Sequence, residues 1–145
     1  MDFEQSSECA LHGPGISPQR LIGCRLVKVT ASWSWHADGR STDPLDVWLT
    51  VEREGPIRIT TGSDWCLIVD ASKPHAGYDL GEGGRVEVRE SGRETPFGSH
   101  LGEDILGARE DYEPFTGRIG LDLTFATGRV RCESWAGDLR LKDLP

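Results

Sequence analysis

Hydrophobic and polar residues alternate over several stretches of this chain, and such alternation predicts β-strands with one buried face. The longest stretch is residues 24–35. Its polar residues fall on one face, and the opposite face carries Val27, Val29, Ala31, Trp33 and Trp35. Residues 24–35 are therefore predicted to form the first long strand, with these five residues directed into the core.

Two further stretches predict β-hairpins with an apolar inner face. In residues 45–61, aliphatic residues alternate on both sides of a turn that ends at Gly55. In residues 121–132, similar alternation flanks a turn that ends at Gly128. The predicted inward residues are Val47, Leu49, Val51, Ile57 and Ile59 in the first hairpin, and Leu121, Leu123, Phe125, Val130 and Cys132 in the second.

The two hairpins belong to longer segments with similar patterns. Residues 22–29 resemble residues 101–108, with Gly23 aligned to Gly102, and a further short strand follows each hairpin, at 65–69 and at 138–142. This predicts two related β-units in one domain, although a single sheet without duplication produces similar alternation. The predicted organisation is an N-terminal arm at 1–20 and one domain at 21–145, made of unit one (21–70), a connector (71–100) and unit two (101–145).

This organisation predicts an all-β fold, mainly antiparallel, arranged as a sandwich or a partly open barrel built from the two hairpin units. Residues 85–90 predict a short edge strand, because charged residues alternate there with Val86 and Val88. Residues 99–107 leave an alternative open. Ser99 is a suitable cap for one short helix, which would make the fold α+β, but the glycines of this segment disfavour a helix.

A length of 145 residues, with 28% charged and 37% hydrophobic residues, is typical of one globular domain. The net charge of −8 disfavours nucleic-acid binding, which needs clustered Lys and Arg, and favours a basic protein partner. No apolar run is long enough to span a membrane, and residues 1–17 lack the features of a secretory signal. We therefore expect a cytoplasmic protein in which Cys9, Cys24, Cys66 and Cys132 are reduced thiols.

The densest group of charges is the acidic cluster, which consists of Glu103, Asp104, Glu110, Asp111 and Glu113. Such a cluster attracts a basic partner, although a charge run is more often only a solvated surface. Trp48 faces away from the apolar side of its hairpin, and Tyr78 lies in the connector. Both are candidate anchors for the partner, with Trp48 equally suited to being covered by the N-terminal arm or a second sheet.

Catalysis and metal binding have little support in the sequence. Three histidines lie near a carboxylate, but no catalytic motif accompanies any of them. Cys9 and His12 have the spacing of two zinc ligands without a second pair, and residues 81–84 lack the Lys-Ser or Lys-Thr of a phosphate loop. We expect no metal and no cofactor, and an enzyme is less favoured than a binding protein. The three pairs are His36 with Asp38, His75 with Asp79 and His100 with Glu103.

The repeated pattern that begins at Gly23 and Gly102, together with the acidity and small size of the chain, resembles the immunity proteins that bacteria encode beside polymorphic toxins. The resemblance implies a non-catalytic cytoplasmic inhibitor that occludes a basic toxin, and it assigns no residue. One alternative is a small-molecule binder or enzyme built on a closed barrel, with a pocket between residues 36–44 and 71–84. Another is an oligomerisation module that pairs through residues 85–90. We expect a monomer or a small homo-oligomer.

Overall fold

A computed structural model describes residues 8–9, 13–37 and 39–144 of the chain. In this part of the chain, the strands form two antiparallel sheets that pack against each other, and a two-stranded ladder near the N-terminus. The two sheets do not close into a barrel. The predicted all-β, mainly antiparallel fold is therefore confirmed, and its sandwich form is the one observed.

The described ranges contain thirteen strands, numbered here in chain order. The N-terminal ladder pairs β1 (Glu8–Cys9) with β2 (Gly13–Pro14). The large sheet contains β3 (Leu26–His36), β4 (Gly39–Arg40), β5 (Asp46–Val51), β6 (Gly55–Thr61), β7 (Leu67–Ala71), β8 (Tyr78–Asp79) and β9 (Arg85–Glu90). Its spatial order is β7-β6-β5-β3-β9-β8, with β4 beside the end of β3. The small sheet contains β10 (Gly107–Glu113), β11 (Gly117–Phe125), β12 (Gly128–Trp135) and β13 (Asp138–Leu144), in that order.

The helical elements of the described ranges are short 3-10 turns at Pro18–Leu21, Gly81–Gly83 and Pro96–His100. The alternative α+β fold, with a helix near 99–107, is therefore wrong. None of the described helical elements is long and apolar enough to cross a membrane. β9, which the sequence predicted as an edge strand, pairs with β3 along one side, and β8 covers only its first two residues on the other.

The core lies between the inner faces of the two sheets, as the alternation predicted. Every predicted inward residue of the two hairpins is buried. Each aliphatic side chain buried in this way contributes roughly 1.5–3 kcal/mol, so the shared core holds the sheets together. The cluster also includes Leu26 and Val29 from β3, Leu67 and Val69 from β7, Leu139 and Leu141 from β13, and Leu21, Cys24, Phe97 and Ile105 from the connecting segments.

A register shift in β3 changes the face of one predicted core residue. Leu26 pairs with Val51 and Lys28 pairs with Thr50, which leaves Val27 as an extra residue. Leu26 and Val29 are consequently buried, whereas Val27 is exposed. The predicted inward position of Val27 is wrong. A β-bulge inserts one extra residue into the strand, so the alternation of inward and outward residues is broken at that point.

The two sheets are joined where the segments before β3 and β10 cross. Residues 23–26 and 102–105 run antiparallel, and four backbone hydrogen bonds connect them. When 23–26 is aligned with 102–105, as in the sequence, each bond from one segment has an equivalent bond from the other. This symmetry agrees with two related units, but a duplication remains a prediction. The four bonds are Gly23 N–H to Ile105 O at 2.7 Å, Gly102 N–H to Leu26 O at 2.8 Å, Leu26 N–H to Glu103 O at 2.9 Å and Ile105 N–H to Cys24 O at 2.9 Å.

The first part of the connector, residues 72–77 between β7 and β8, covers Trp48. It begins at one edge of the large sheet and ends at the opposite edge. His75 of this connector packs edge-on against Trp48, with ring centroids 5.2 Å apart, and Trp48 is fully buried. Trp48 is therefore not a surface anchor. Part of its cover is the connector, whereas the predicted covers were the N-terminal arm and a second sheet.

The described cysteines are not all reduced. Cys66, just before β7, is in a disulfide bond, whereas Cys24 and Cys132 have buried free thiols. Burial also raises the pKa of Cys132, which keeps its thiol protonated. The expectation of four reduced thiols is wrong for Cys66. Since disulfides are typical of proteins that fold in oxidising compartments, a cytoplasmic location remains only a prediction.

Two thiols per chain are expected to react in denaturant without reductant, because one disulfide removes two of the four cysteines from reaction. Thiol titration of protein purified without reductant measures this number, and reduction before titration should raise it to the full count. A Cys24→Ser, Cys132→Ser double variant is the control, with no reactive thiol before reduction. Reaction of every cysteine in the unreduced wild type would contradict the disulfide.

Candidate functional site

The acidic cluster does not form one surface. Glu110 accepts a hydrogen bond at 2.9 Å from Arg118, whose buried side chain also donates to Leu67 O at 3.0 Å. Asp111 accepts a hydrogen bond at 2.7 Å from Arg131. Cations of the same chain already compensate both carboxylates, so reversing their charge would disturb the fold as well as any binding.

Glu103 and Asp104 lie at the opposite end of β10 from Glu113. Thr127 donates its hydroxyl to Glu103 at 2.7 Å, and this bond lowers the pKa of Glu103. Asp104 forms an exposed ion pair with Arg25 at 3.7 Å. The structure therefore separates the five residues of the acidic cluster into several local contacts.

The outer face of the small sheet carries a hydrogen-bonded network centred on Arg131. Its guanidinium lies over Gly120, where a side chain would collide with it. It donates to Asp111 at 2.7 Å, to Asp122 at 2.9 Å and to Glu133 at 2.8 Å. Burial disfavours the charged form of Arg131, but these bonds outweigh burial and raise its pKa. Arg131 and its three carboxylate partners therefore bond to one another, which is a structural role for these charges.

The predicted pair of His75 and Asp79 is replaced by a different arrangement. His75 Nε2 lies 3.4 Å from Asp46 Oδ2, and Ser32 donates to the same oxygen at 2.8 Å. Asp79 instead accepts the Gly81 N–H at 2.7 Å. The carboxylate lies between His75 and Ser32, whereas a serine nucleophile requires the histidine in the middle. This group holds the connector on the large sheet rather than activating a nucleophile.

The structure also shows the predicted pair of His100 and Glu103, whereas two other candidate residues are not described. His100 lies 3.4 Å from Glu103, as the sequence suggested, but it is buried and stacked on Phe125. Asp38, the predicted partner of His36, and His12 of the zinc-like spacing lie outside the described residues. Across the described ranges, no group of three or more His, Cys, Asp or Glu side chains could hold a metal ion.

Three large aromatic side chains are exposed on adjacent turns at one end of the sandwich. Trp65 between β6 and β7 is 57% exposed, Phe115 between β10 and β11 is 93% exposed, and Trp135 at the end of β12 is 58% exposed. The turns are close together, because Thr61 donates its hydroxyl to Gly137 O at 2.6 Å, and the side chain of Arg118 in β11 donates to Leu67 O in β7. We call this surface the aromatic end and define it by residues 41–45, 61–67, 113–118 and 135–140.

Glu113 holds the turn that carries Phe115. Its carboxylate accepts the backbone N–H of Thr116 at 2.8 Å and that of Phe115 at 3.1 Å. These bonds, of which the one from Thr116 contributes most, favour the ionised form and lower the pKa of Glu113. The fully exposed ring of Phe115 is thus presented on a turn that is ordered before any partner binds, which reduces the entropic cost of binding.

Trp65 has an unusual backbone conformation in the turn between β6 and β7, where its N–H donates to Gly62 O at 2.9 Å. Its φ of 70° lies in the left-handed region, which is unfavourable for a bulky residue. The sequence predicted Trp65 as the start of a buried strand, but β7 begins only at Leu67. The indole lies beside Gly137 and remains largely exposed. Strained residues of this kind are concentrated at functional sites.

A cleft of about 370 Å³ opens in the aromatic end, between the loop before β5 and the turn between β12 and β13. Asp43 in this loop accepts the Leu141 N–H at 3.3 Å. On the other side, the guanidinium of Arg140 lies 4.7 Å from the ring centroid of Trp135. The cleft therefore combines a carboxylate, a guanidinium and an indole, which are groups suited to binding a ligand. Its walls also include Ser41, Thr42, Pro44 and Thr61.

Sequence reasoning selected Tyr78 but did not select the residues of the aromatic end. Tyr78 is exposed on β8, at the edge of the large sheet farthest from β7. The missed residues had a visible signal, since each large aromatic residue adjoins turn-forming residues. Gly62-Ser63-Asp64 precedes Trp65, Pro114 precedes Phe115, and Ala136-Gly137 follows Trp135.

Comparison of the chain with protein families, curated proteins and solved structures gives no match.

Arg118→Met is expected to lower the free energy of unfolding by about 3 kcal/mol, because it removes a buried cation and leaves Glu110 without this partner. Urea denaturation measures the change. The matched control is Arg109→Met, which removes an exposed guanidinium paired with Asp111 and Asp122 in the same sheet. Both carboxylates keep Arg131 as a partner, so the change should cost less than about 1 kcal/mol. Equal losses in the two variants would contradict a structural role for the Glu110–Arg118 pair.

The carboxyl group of Glu113 is expected to titrate below the ordinary value of 4.5, because the folded turn stabilises its ionised form. Above pH 4.5 the hydrogen bonds to the ionised carboxylate therefore stabilise the turn in full. This stabilisation is lost as the pH falls through the lower pKa that Glu113 has in the folded protein. Carboxyl carbon shifts measured by NMR give the midpoint. The amide signals of Phe115 and Thr116 should follow it in the wild type but not in Glu113→Gln. A midpoint at or above the ordinary value would refute the bonding of this turn.

Proposed function

We propose that this chain is a non-catalytic binding protein and that it engages a protein partner through the aromatic end. The observation that carries the proposal is the exposure of Trp65, Phe115 and Trp135 on adjacent turns. Large aromatic residues dominate the binding energy of protein interfaces. Exposed apolar groups that are clustered, rather than scattered, mark interaction surfaces.

The charges of the aromatic end favour a basic partner. Its defined residue ranges contain four carboxylates, and its arginines are the buried Arg118, which pairs with Glu110, and Arg140. The accessible balance is therefore acidic, in agreement with the net charge of −8 for the chain. Complementary potential accelerates encounter and contributes to specificity. The four carboxylates are those of Asp43, Asp64, Glu113 and Asp138.

An inhibitor of the immunity type is one function that such a surface would serve. The small, acidic chain would cover a basic face of a toxin, with Phe115 and the two tryptophans filling pockets of the partner. This version of the resemblance moves the recognition surface from the acidic cluster to the aromatic end. Glu113 belongs to both, and Tyr78 lies at the edge of the large sheet opposite the aromatic turns.

A second candidate function is small-molecule binding in the cleft. Its volume of about 370 Å³ falls within the usual range for ligand pockets, roughly 300–1,000 Å³. The closed barrel expected for such a function is wrong, but residues 41–44 of the predicted loop do line the cleft. A small molecule would require the cleft and not Phe115, which lies on a neighbouring turn.

Phe115→Ala and Trp135→Ala are each expected to weaken capture of the partner by at least 30-fold, since anchor residues contribute about 2 kcal/mol or more. The tagged wild type and variants are incubated with lysate of the source cell, and the captured proteins are quantified by mass spectrometry at several bait concentrations. Leu106→Ala is the matched control, because Leu106 is an exposed apolar residue just before β10, at the opposite end of the sandwich.

A basic protein that the wild type and Leu106→Ala capture equally, and that both aromatic variants lose, would support the aromatic end. A partner that all the variants retain would refute it. Loss with Trp135→Ala alone, together with a small molecule that stabilises the wild type in a thermal-shift screen, would favour the second candidate function.

A further inference from the structure

Two hydrogen bonds fix the walls of the cleft. Asp43, in the loop before β5, accepts the Leu141 N–H of β13. Thr61, at the end of β6, donates to Gly137 O in the turn between β12 and β13. Both bonds join the large sheet to the small sheet, so the two walls are held in place by the fold. A ligand would therefore meet a site that is formed before it binds, which is usual for small-molecule sites.

The cleft contains polar side chains whose hydrogen-bonding capacity the fold does not use. Thr42, Asp138 and Arg140 line it. In the part of the chain that the structure describes, none of these three side chains forms a hydrogen bond or an ion pair with another residue. The carboxylate of Asp138 accepts hydrogen bonds, the guanidinium of Arg140 donates them, and the hydroxyl of Thr42 does both. A ligand with both donors and acceptors would satisfy all of them.

The charges of the cleft favour an uncharged ligand. Arg140 offsets part of the negative charge of Asp43 and Asp138. An anion would be repelled by the carboxylates, and a cation would compete with Arg140 for them. A purely apolar ligand is also disfavoured, because it would take water away from these groups without replacing its hydrogen bonds. The cleft is thus suited to a neutral molecule that carries many hydroxyl groups.

Trp135 supplies a flat apolar surface at the cleft. Its side chain is 58% exposed even though Arg140 lies over the ring, 4.7 Å from the centroid, so much of the indole is free. The face of an aromatic ring is negative, and it attracts the weakly positive C–H groups of a saturated ring. In a pyranose sugar these C–H groups form a flat face, and the hydroxyl groups point outward around the ring. A sugar can therefore stack on the indole and still bond to the polar side chains.

We infer that the cleft binds a neutral saccharide, with a pyranose ring on Trp135 and its hydroxyl groups bonded to Thr42, Asp138 and Arg140. This inference rests on the second candidate function and names the class of ligand that the cleft recognises. Hydrogen bonds from a hydroxyl group to a carboxylate, or from a guanidinium to a hydroxyl group, are stronger than those between neutral groups. Since a single sugar ring makes few contacts, its affinity is expected to be in the millimolar range.

The test titrates the methyl pyranosides of glucose, galactose, mannose and N-acetylglucosamine into the ¹⁵N-labelled full chain. At least one of them is expected to shift the Trp135 indole signal and the Arg140 Nε–H signal to saturation at millimolar concentration. Sorbitol carries the hydroxyl groups of a hexose without the ring. It should bind about fivefold more weakly, because it has no rigid C–H face to stack on the indole. Adenosine, a flat aromatic ligand, should also bind more weakly.

Trp135→Ala is expected to remove saturable binding of the pyranoside, because the stacking surface is lost. Asp138→Asn should weaken binding several-fold, because the acceptor loses its charge. The matched control is Phe115→Ala, which removes an exposed aromatic ring from the neighbouring turn between β10 and β11. This variant should keep the full affinity for the pyranoside while it loses the captured protein partner, so the two proposals fail independently.

No saturable shift with any of the pyranosides, equal binding of sorbitol, or unchanged affinity in Trp135→Ala would overturn the inference. Saturation by adenosine alone would overturn it too, but the second candidate function would survive. Adding the bound pyranoside to the capture experiment identifies the source of the saccharide. Release of the captured protein would indicate a glycan on that protein, whereas unchanged capture would indicate a free saccharide.

Discussion

The crossing of residues 23–26 with residues 102–105 is the contact on which the architecture depends. Four backbone hydrogen bonds at this crossing tie the segment before β3 to the segment before β10. Leu26 and Ile105, which take part in these bonds, are buried in the common core. The crossing therefore sets how one sheet lies on the other, and the apolar inner faces then close the space between them.

The position of one sheet on the other also determines which turns lie side by side. In a sheet whose neighbouring strands are antiparallel, every second turn falls at the same end. The turns that carry Phe115 and Trp135 in the small sheet thus lie beside the turn that carries Trp65 in the large sheet. Arg118 bonded to Leu67 and Thr61 bonded to Gly137 connect the two sheets there. The aromatic end is consequently a product of the whole sandwich rather than of one loop.

The alternation of residues predicted the hairpins and their inward faces, because a strand places every second side chain on the same side. It could not predict the bulge at Val27, which arises in the pairing of β3 with β5. It also could not predict the left-handed backbone of Trp65, because this residue lies in a turn and not in a strand. The acidic cluster failed as a continuous surface for a similar reason, since Arg118 and Arg131 reach its carboxylates from another strand. Trp48 was ambiguous because its cover comes from a distant connector that includes His75.

The most direct test of the account is photo-crosslinking from position 115. A benzoylphenylalanine in place of Phe115 is irradiated in lysate of the source cell, with the same residue at position 106 as the comparison. The account predicts a covalent adduct with one basic protein from position 115 and none from position 106. Adducts with the same protein from position 106, with none from position 115, would contradict binding through the aromatic end.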